Sequence, residues 1–364
     1  SVFVTGSGFD SQSDFHRLFD RGVDTLGNPL PFDAVYGLGQ GVSYGYAAPG
    51  KTLVPIFGGS FSFGAIGARS CAHDDVGCLA GKLVRFERWV SVGEGDVASA
   101  RAPLEKAKGT TLGRVEGVVL RQADGTPSSG KRVFALRDPR DLTCDEACEK
   151  RCGAAPGPGA IDGVAAAKVI EANRCRTEDD TFLQGHAAIE SMALTDLGER
   201  PSQDGQFSMD LPPGRYVLVA VDGPESQSKT AMVTVVAGKT ARASLLLPKV
   251  GTLAYAVFDE AGNPSPARVT VGRCWARSSC VEDGDCGGDL VCQEGACSCE
   301  REPLLALELG GGRFADGVVA YDVTRSGNGS IDLPPGDYEV LISRGPHRDI
   351  DRSAVTIESG TTTR

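Results

Sequence analysis

The sequence predicts a mainly β protein: tandem antiparallel β-sandwich modules with disulfide-rich loop insertions, preceded by a β-rich N-terminal unit with a short helix. Three observations carry this. The 364 residues include 48 glycines and 20 prolines but only 3 methionines, a composition of many short strands and tight turns. A 38-residue stretch recurs without a gap at a constant offset of 122. Twelve cysteines fall into three local groups of even size, as closed sets of disulfides require.

Residues 1–110 form the N-terminal unit. Short strands are expected near Ala34–Tyr36 and through Leu53–Phe63, and "LVRFERWVSVGEGD" reads as a further strand. Asp96 then caps a short helix through "VASARAPLEKAK" that stops at Gly109. The unit reads as part of a β-sandwich entered midway, with one loop closed by Cys71 and Cys78. It also contains "GYAAPGKT", Gly45–Thr52, which fits the phosphate-loop pattern at every specified position. That pattern binds phosphate only when a helix starts at its lysine, so that backbone N–H groups converge on the anion. Here "LVPIFGGSFSFG" follows, with Pro55 and paired glycines, which reads as strand and turn. Nucleotide binding is therefore not expected.

Residues 111–250 and 251–364 are read as two homologous sandwiches. Gly205–Arg242 aligns with Gly327–Arg364, with 15 of 38 positions identical. Each unit opens with a comparable strand and turn, "GRVEGVVLRQADGTPSSGKRVFAL" from Gly113 and "GTLAYAVFDEAGNPSPARVTVGR" from Gly251. Alternation at Val115, Gly117 and Val119, and at Tyr255 and Val257, gives two-faced strands. "LPPG" followed by Tyr216 or Tyr338 makes a stiff corner. The ring is expected to be buried and its hydroxyl to find a backbone partner, a structural rather than a catalytic role.

The two units are interrupted at the same place, by 139–203 and by 274–326. In the first interruption Cys144, Cys148 and Cys152 recur every four residues along one face of a short helix, and Ile161–Asn173 reads as a second helix leading to Cys175. In the second, Cys274, Cys280, Cys286, Cys292, Cys297 and Cys299 lie in a segment too polar and too short to form a core, so three disulfides must hold it. Zinc would need paired C-x-x-C knuckles or cysteine with histidine, and of His16, His73, His186 and His347 only His73, beside Cys71, approaches that. Disulfides are the preferred reading, and they place the chain outside the cytoplasm: extracellular, at the cell surface or periplasmic.

The same knot carries a calcium-loop decoy. From Asp283, acids stand at template positions 1, 3, 7 and 12 (Asp283, Asp285, Asp289, Glu294) with glycine at position 6, but Gly287 occupies position 5. The surrounding cysteines exclude the flanking helices, so a solvated disulfide loop is preferred over calcium. No other cofactor is implied. Neither H-E-x-x-H nor G-x-S-x-G occurs, and no cysteine is left over as a nucleophile. Asp14 with His16, and His73 with Asp74 and Asp75, read as solvated loops. The net charge of −11 argues against nucleic acid and anionic membranes, and no apolar run approaches the ~20 residues of a membrane span.

"GTLAYAVFDEAGNPSPARVTV" and "GTPSSGKRVFAL" resemble carboxypeptidase-regulatory-like sandwich modules. Together with "RFERWVSVGEGDVAS", "LPPGDYEVLISRGP" and the order of units, they resemble the region upstream of the catalytic domain in CehA/McbA-type metallohydrolases of the PHP superfamily. The likeness spans most of the chain and rests on turn and packing signatures. It implies a His-x-His motif opening a catalytic domain downstream; nothing in residues 1–364 matches that motif, so no catalytic residue carries over.

The expected function is a non-catalytic extracellular scaffold or interaction protein. An alternative is the accessory region of an extracellular PHP-type metal-dependent hydrolase. A third is a carbohydrate or cell-wall binding module, although Trp89 and Trp275 lie in different units and form no aromatic platform. Ser1 in place of a start methionine reads as a processed chain or part of a longer one. After Arg242 the first unit continues as "ASLLLPK", a closing strand; the second stops at Arg364, the aligned residue, with no counterpart expected. A protein partner or neighbouring subunit is therefore expected at the C-terminal sandwich edge, unless residues after Arg364 complete it.

Overall fold

The computed structural model describes residues 2–5, 34–39, 41–47, 49, 53–57, 64–68, 87–142, 144–166, 168–169, 172–173, 189–197, 204–222, 226–272, 290–293, 296–299, 318–345 and 348–364. It is mainly β, with several antiparallel sheets and few helices. Two compact units emerge: Ser1–Leu120 with Pro127–Ala220 and Ser228–Leu246, and Leu247–Arg364 with the short stretches Arg121–Thr126 and Val221–Gln227. No helix among the described residues is long and apolar enough to cross a membrane.

The chain opens with β1 (Val2–Thr5), β2 (Ala34–Gly39) and β3 (Val42–Ala47), a separate hairpin of β4 (Leu53–Phe57) and β5 (Gly64–Ala68), and then β6 (Trp89–Gly93). Strands β1, β2, β3 and β6 form one sheet in that order, β1 parallel to β2 and the rest antiparallel. Helix α1 (Val97–Ala107) starts where expected: the Asp96 side chain accepts from the Ser99 N–H at 2.8 Å. Small residues on the sheet let the helix approach closely. A Cβ at Gly45 would stand 2.9 Å from the Leu104 side chain, and one at Gly93 would stand 2.5 Å from the Ala100 nitrogen. Among the described residues, helix α1 packs against strands β2, β3 and β6 of the N-terminal sheet.

Two sandwiches follow, each of seven strands among the described residues. The first comprises β7 (Gly113–Arg121), β8 (Arg132–Arg137), β9 (Ile189–Leu194), β10 (Gln206–Leu211), β11 (Gly214–Val221), β12 (Ala231–Val235) and β13 (Thr240–Leu247). Its sheets run β10, β7, β13 and β12, β11, β8, β9. The second comprises β14 (Gly251–Ala256) and β15 (Ala267–Gly272), then, after an inserted hairpin of β16 (Leu290–Gln293) and β17 (Ala296–Cys299), β18 (Val318–Thr324), β19 (Asn328–Leu333), β20 (Gly336–Ser343), β21 (Asp351–Ile357) and β22 (Thr362–Thr363). Its sheets run β19, β14, β22 and β21, β20, β15, β18, the same order strand for strand. Register is shared too: Tyr216 pairs with Val233, and Tyr338 with Val355, each 122 residues on. The cysteine-bearing stretches also carry sandwich strands, since β9 lies within 139–203 and β18 within 274–326.

The corners behave as their chemistry requires. Tyr216 is 5% exposed and its hydroxyl donates to the Pro212 carbonyl at 2.9 Å; Tyr338 is 3% exposed and donates to Pro334 at 2.7 Å. Gly327 sits at φ +79°, and a Cβ there would stand 2.7 Å from the Val257 carbonyl oxygen, so only glycine fits. Its counterpart Gly205 has φ +64° and closes on Val119 in the same way. Leu253, Val269, Val271, Leu333, Val340 and Ile357 make the second core, each contributing roughly 1.5–3 kcal/mol by burial.

The sandwiches differ in what covers their four-stranded sheets. β8, β9 and β11 are almost continuously buried, whereas β18 and β20 alternate. Burial on both faces needs cover on both faces, and the first sandwich has it: α1 lies against β9 and β10, and the insertion against β8 and β12. Within that insertion α2 (Glu146–Cys152) begins after Asp145, whose side chain accepts from the Cys148 N–H. Cys144 therefore precedes the helix instead of sharing its face with Cys148 and Cys152. Residues 166, 168–169 and 172–173 are helical, while Ile161–Val164 form turns and bends. The closing strand expected to have no counterpart in the second sandwich does begin: β22 pairs in parallel with Thr252 and Leu253 of β14.

Candidate functional site

The sequence motifs resolve first. In "GYAAPGKT", Gly45–Ala47 belong to β3, and the next described residues after its lysine and threonine, Leu53–Phe57, are β4. Among the described residues, a strand follows where a phosphate loop requires a helix N-terminus. The calcium-loop residues Asp283, Asp285, Asp289 and Glu294 lie outside the described residues, as do all four histidines and Cys71, Cys78, Cys175, Cys274, Cys280 and Cys286. Cys144 and Cys148 are joined by a disulfide, and Cys152 is also disulfide-bonded. Cys292 and Cys297 face each other across the β16–β17 hairpin. Among the described residues, no group of three or more His, Cys, Asp or Glu side chains is placed to hold a metal ion.

The structure instead assembles a buried charge cluster that sequence reading missed. Arg101 on α1 is 5% exposed and bonds both the side chain and the carbonyl of Glu190 on β9, itself 6% exposed. Arg137 Nε donates to the other Glu190 oxygen at 2.7 Å, and Glu105 lies 3.7 Å from Arg101. Burial would push the Glu190 carboxyl up, but Arg101 and Arg137 outweigh it and hold the group down at about 2. One turn earlier, Asp96 caps α1 and also accepts from the Leu194 N–H of β9 at 3.1 Å; burial raises its carboxyl despite these bonds. These contacts clamp the helix to the sandwich. Each acid is engaged by cations or amides, a pairing that holds structure and leaves no lone base. Eighty-nine residues separate Arg101 from Glu190, and no local pattern announces the pair.

A second cluster roots the insertion. Asp138, fully buried, accepts from the Arg140 N–H and Nε, each at 2.9 Å. Asp141 accepts from the Arg215 N–H at 3.0 Å and its Nε at 2.8 Å, bonds that hold the Asp141 carboxyl below its usual value. From there the insertion reaches the free side of edge strand β12. Gly163 N–H donates to the Thr230 carbonyl at 2.9 Å, and Thr230 N–H donates to the Val164 carbonyl at 3.0 Å. Met232 N–H donates to Asp162 Oδ1 at 3.0 Å, and the Thr230 hydroxyl donates to the Ile161 carbonyl at 2.8 Å. Thr230 is 4% exposed as a result.

No family model matches the chain, and no curated protein matches it. Among solved structures, the Bacillus anthracis TIE protein superposes over 88% of this chain and 40% of its own length, with a TM-score of 0.21 and 12% identity. A streptococcal ancillary pilin superposes over 88% of this chain and 74% of its own, with a TM-score of 0.27 and 12% identity. GBS52, the minor pilin of Streptococcus agalactiae, superposes over 69% and 92%, with a TM-score of 0.28 and 16% identity. Superpositions at these scores fix neither a family nor a role.

Proposed function

We propose that the chain is a non-catalytic extracellular scaffold or interaction protein, organised as units 1–110, 111–250 and 251–364 with the last two built as carboxypeptidase-regulatory-like sandwiches. The observation that carries this reading is the doubled seven-strand topology, kept in order and register while its insertions differ. Repetition of a sandwich multiplies surface and length, and ionised side chains go into clamping elements together. The Cys144–Cys148 bridge supports an oxidising compartment. In this reading the chain requires no cofactor, its cysteines are bridged within their three groups, and a protein partner or neighbouring subunit engages the C-terminal sandwich.

The test is non-reducing peptide mapping of the native protein, combined with protease treatment of intact producing cells. The expected outcome is bridges confined to each cysteine group and cleavage of the chain from outside. A bridge between groups, alkylatable native thiols, or metal-dependent hydrolysis by the purified chain overturns the proposal.

A further inference from the structure

The repeat supplies its own control at one sheet edge. By the shared register, Arg352 and Ala354 of β21 stand where Thr230 and Met232 stand in and beside β12. In the first sandwich the outward N–H and C=O of residue 230 and the outward N–H of residue 232 are all bonded by Asp162–Val164 of the insertion. In the second, β20 takes the inner side of β21, and among the described residues no backbone group bonds Arg352 or Ala354 from the outer side. Burial reports the same contrast. Thr230 is 4% exposed, whereas residues 351–354 are all exposed and Ile350, the counterpart of buried Ser228, is 55% exposed.

We propose that the outer edge of β21 is a docking site for a short turn segment of a second polypeptide, and that the segment it takes carries a carboxylate residue followed by glycine. The occupant is read from the homologous contact. Three groups in the order N–H, C=O, N–H along Arg352 and Ala354 fit two backbone bonds and one carboxylate, as Gly163, Val164 and Asp162 supply on β12. Glycine follows the acid because the backbone there turns through φ +69°, the left-handed region that favours glycine. Arg352 replaces Thr230, whose hydroxyl serves the Ile161 carbonyl. Its guanidinium, on a side chain 66% exposed and with one nitrogen 4.0 Å from Glu339, keeps further donors at the same position and favours an acidic segment. The proposal rests on the interaction-protein reading only for the occupant being another chain; the open edge stands independently of it.

The experiment titrates the isotope-labelled full chain with a synthetic peptide of Gly157–Ala166, "GPGAIDGVAA", into the millimolar range and follows backbone amides by NMR, with hydrogen exchange of the free chain measured alongside. Amide shifts centred on Arg352–Ala354 are expected, with rapid exchange of those two amides in the free chain and slowed exchange when the peptide is bound. Ala354→Pro removes only an outward N–H and a position that edge strands tolerate, and should abolish these shifts. Asp162→Asn in the peptide should weaken binding by about tenfold, and this arm does not depend on how the chain variant folds. The proposal is overturned if no shifts reach Arg352 and Ala354, if Ala354→Pro leaves them unchanged, or if those amides are already protected in the free monomer, which would mean that the chain covers the edge itself. Failure here with the cysteine map and cell-surface cleavage intact would remove this edge and leave the scaffold reading standing.

Discussion

Acid should loosen the first unit through Glu190. The folded protein holds this carboxyl down from 4.5 to about 2, against the upward push of burial, because Arg101 and Arg137 flank it. At about 1.4 kcal/mol per tenfold, that displacement corresponds to about 3 kcal/mol of stability. The folded state binds the proton less readily than the unfolded chain, so the contribution is full above about pH 4.5 and is lost as the pH falls toward 2. Glu190→Gln should therefore cost about 3 kcal/mol at pH 7, the scale expected when one member of a buried pair is removed. The wild type and the variant should converge near pH 2. Urea unfolding at pH 7, 4 and 2.5 measures this, with Trp275→Phe so that Trp89 on β6 reports the first unit. A double replacement, Arg101→Met with Glu190→Leu, should recover much of the loss, because no uncompensated charge then remains buried. A gap between wild type and Glu190→Gln that stays constant across pH, or that is absent at pH 7, would refute the clamp.

Tyr338→Phe keeps the buried ring and deletes one bond to Pro334, and should cost about 1 kcal/mol in urea unfolding, as should Tyr216→Phe at Pro212; no cost at either would assign the corner to ring packing alone. Gly327→Ala should cost about 1–3 kcal/mol, clearly more than Gly262→Ala, since both have positive φ but only Gly327 faces a carbonyl within 4 Å; equal melting shifts would show that φ, not the close approach, sets the cost. Calorimetry with magnesium and ATP should give no binding heat, and micromolar affinity abolished by Lys51→Ala would overturn the strand reading of "GYAAPGKT".

Much of the fold was legible because its signals are local. The Asp96 cap sits three residues before its Ser99 donor, and the two Pro-Pro-Gly corners place each tyrosine four residues from its carbonyl partner. The repeat fixed which strands correspond. Strand β9 was not legible: buried on both faces, "IESMAL" shows no alternation, and a glutamate at its second position argues against burial until its arginines are known. Cysteine spacing in the first insertion pointed to one helical face, but Asp145 is the better cap and leaves Cys144 outside the helix. The contact between Asp162–Val164 and β12 joins residues nearly seventy apart, and backbone bonding of that kind leaves no trace in side-chain pattern.

Two sandwiches with one strand order also pose a problem of self-recognition during folding. Hairpin β19–β20 presents nearly the same corner, register and apolar positions as β10–β11, so a chain folding from the denatured state can pair elements of one copy with the other through contacts that are locally native. Such a swapped state would be compact and slow to escape. Helix α1 distinguishes the two outcomes, because its buried arginine needs the acid on β9. Strand β18 has Val319 at the bulge where β9 has Glu190, and its one acid, Asp322, pairs opposite Val269 elsewhere on the strand, so a chain that docked α1 there would strand Arg101 in the interior without a counter-charge at that place.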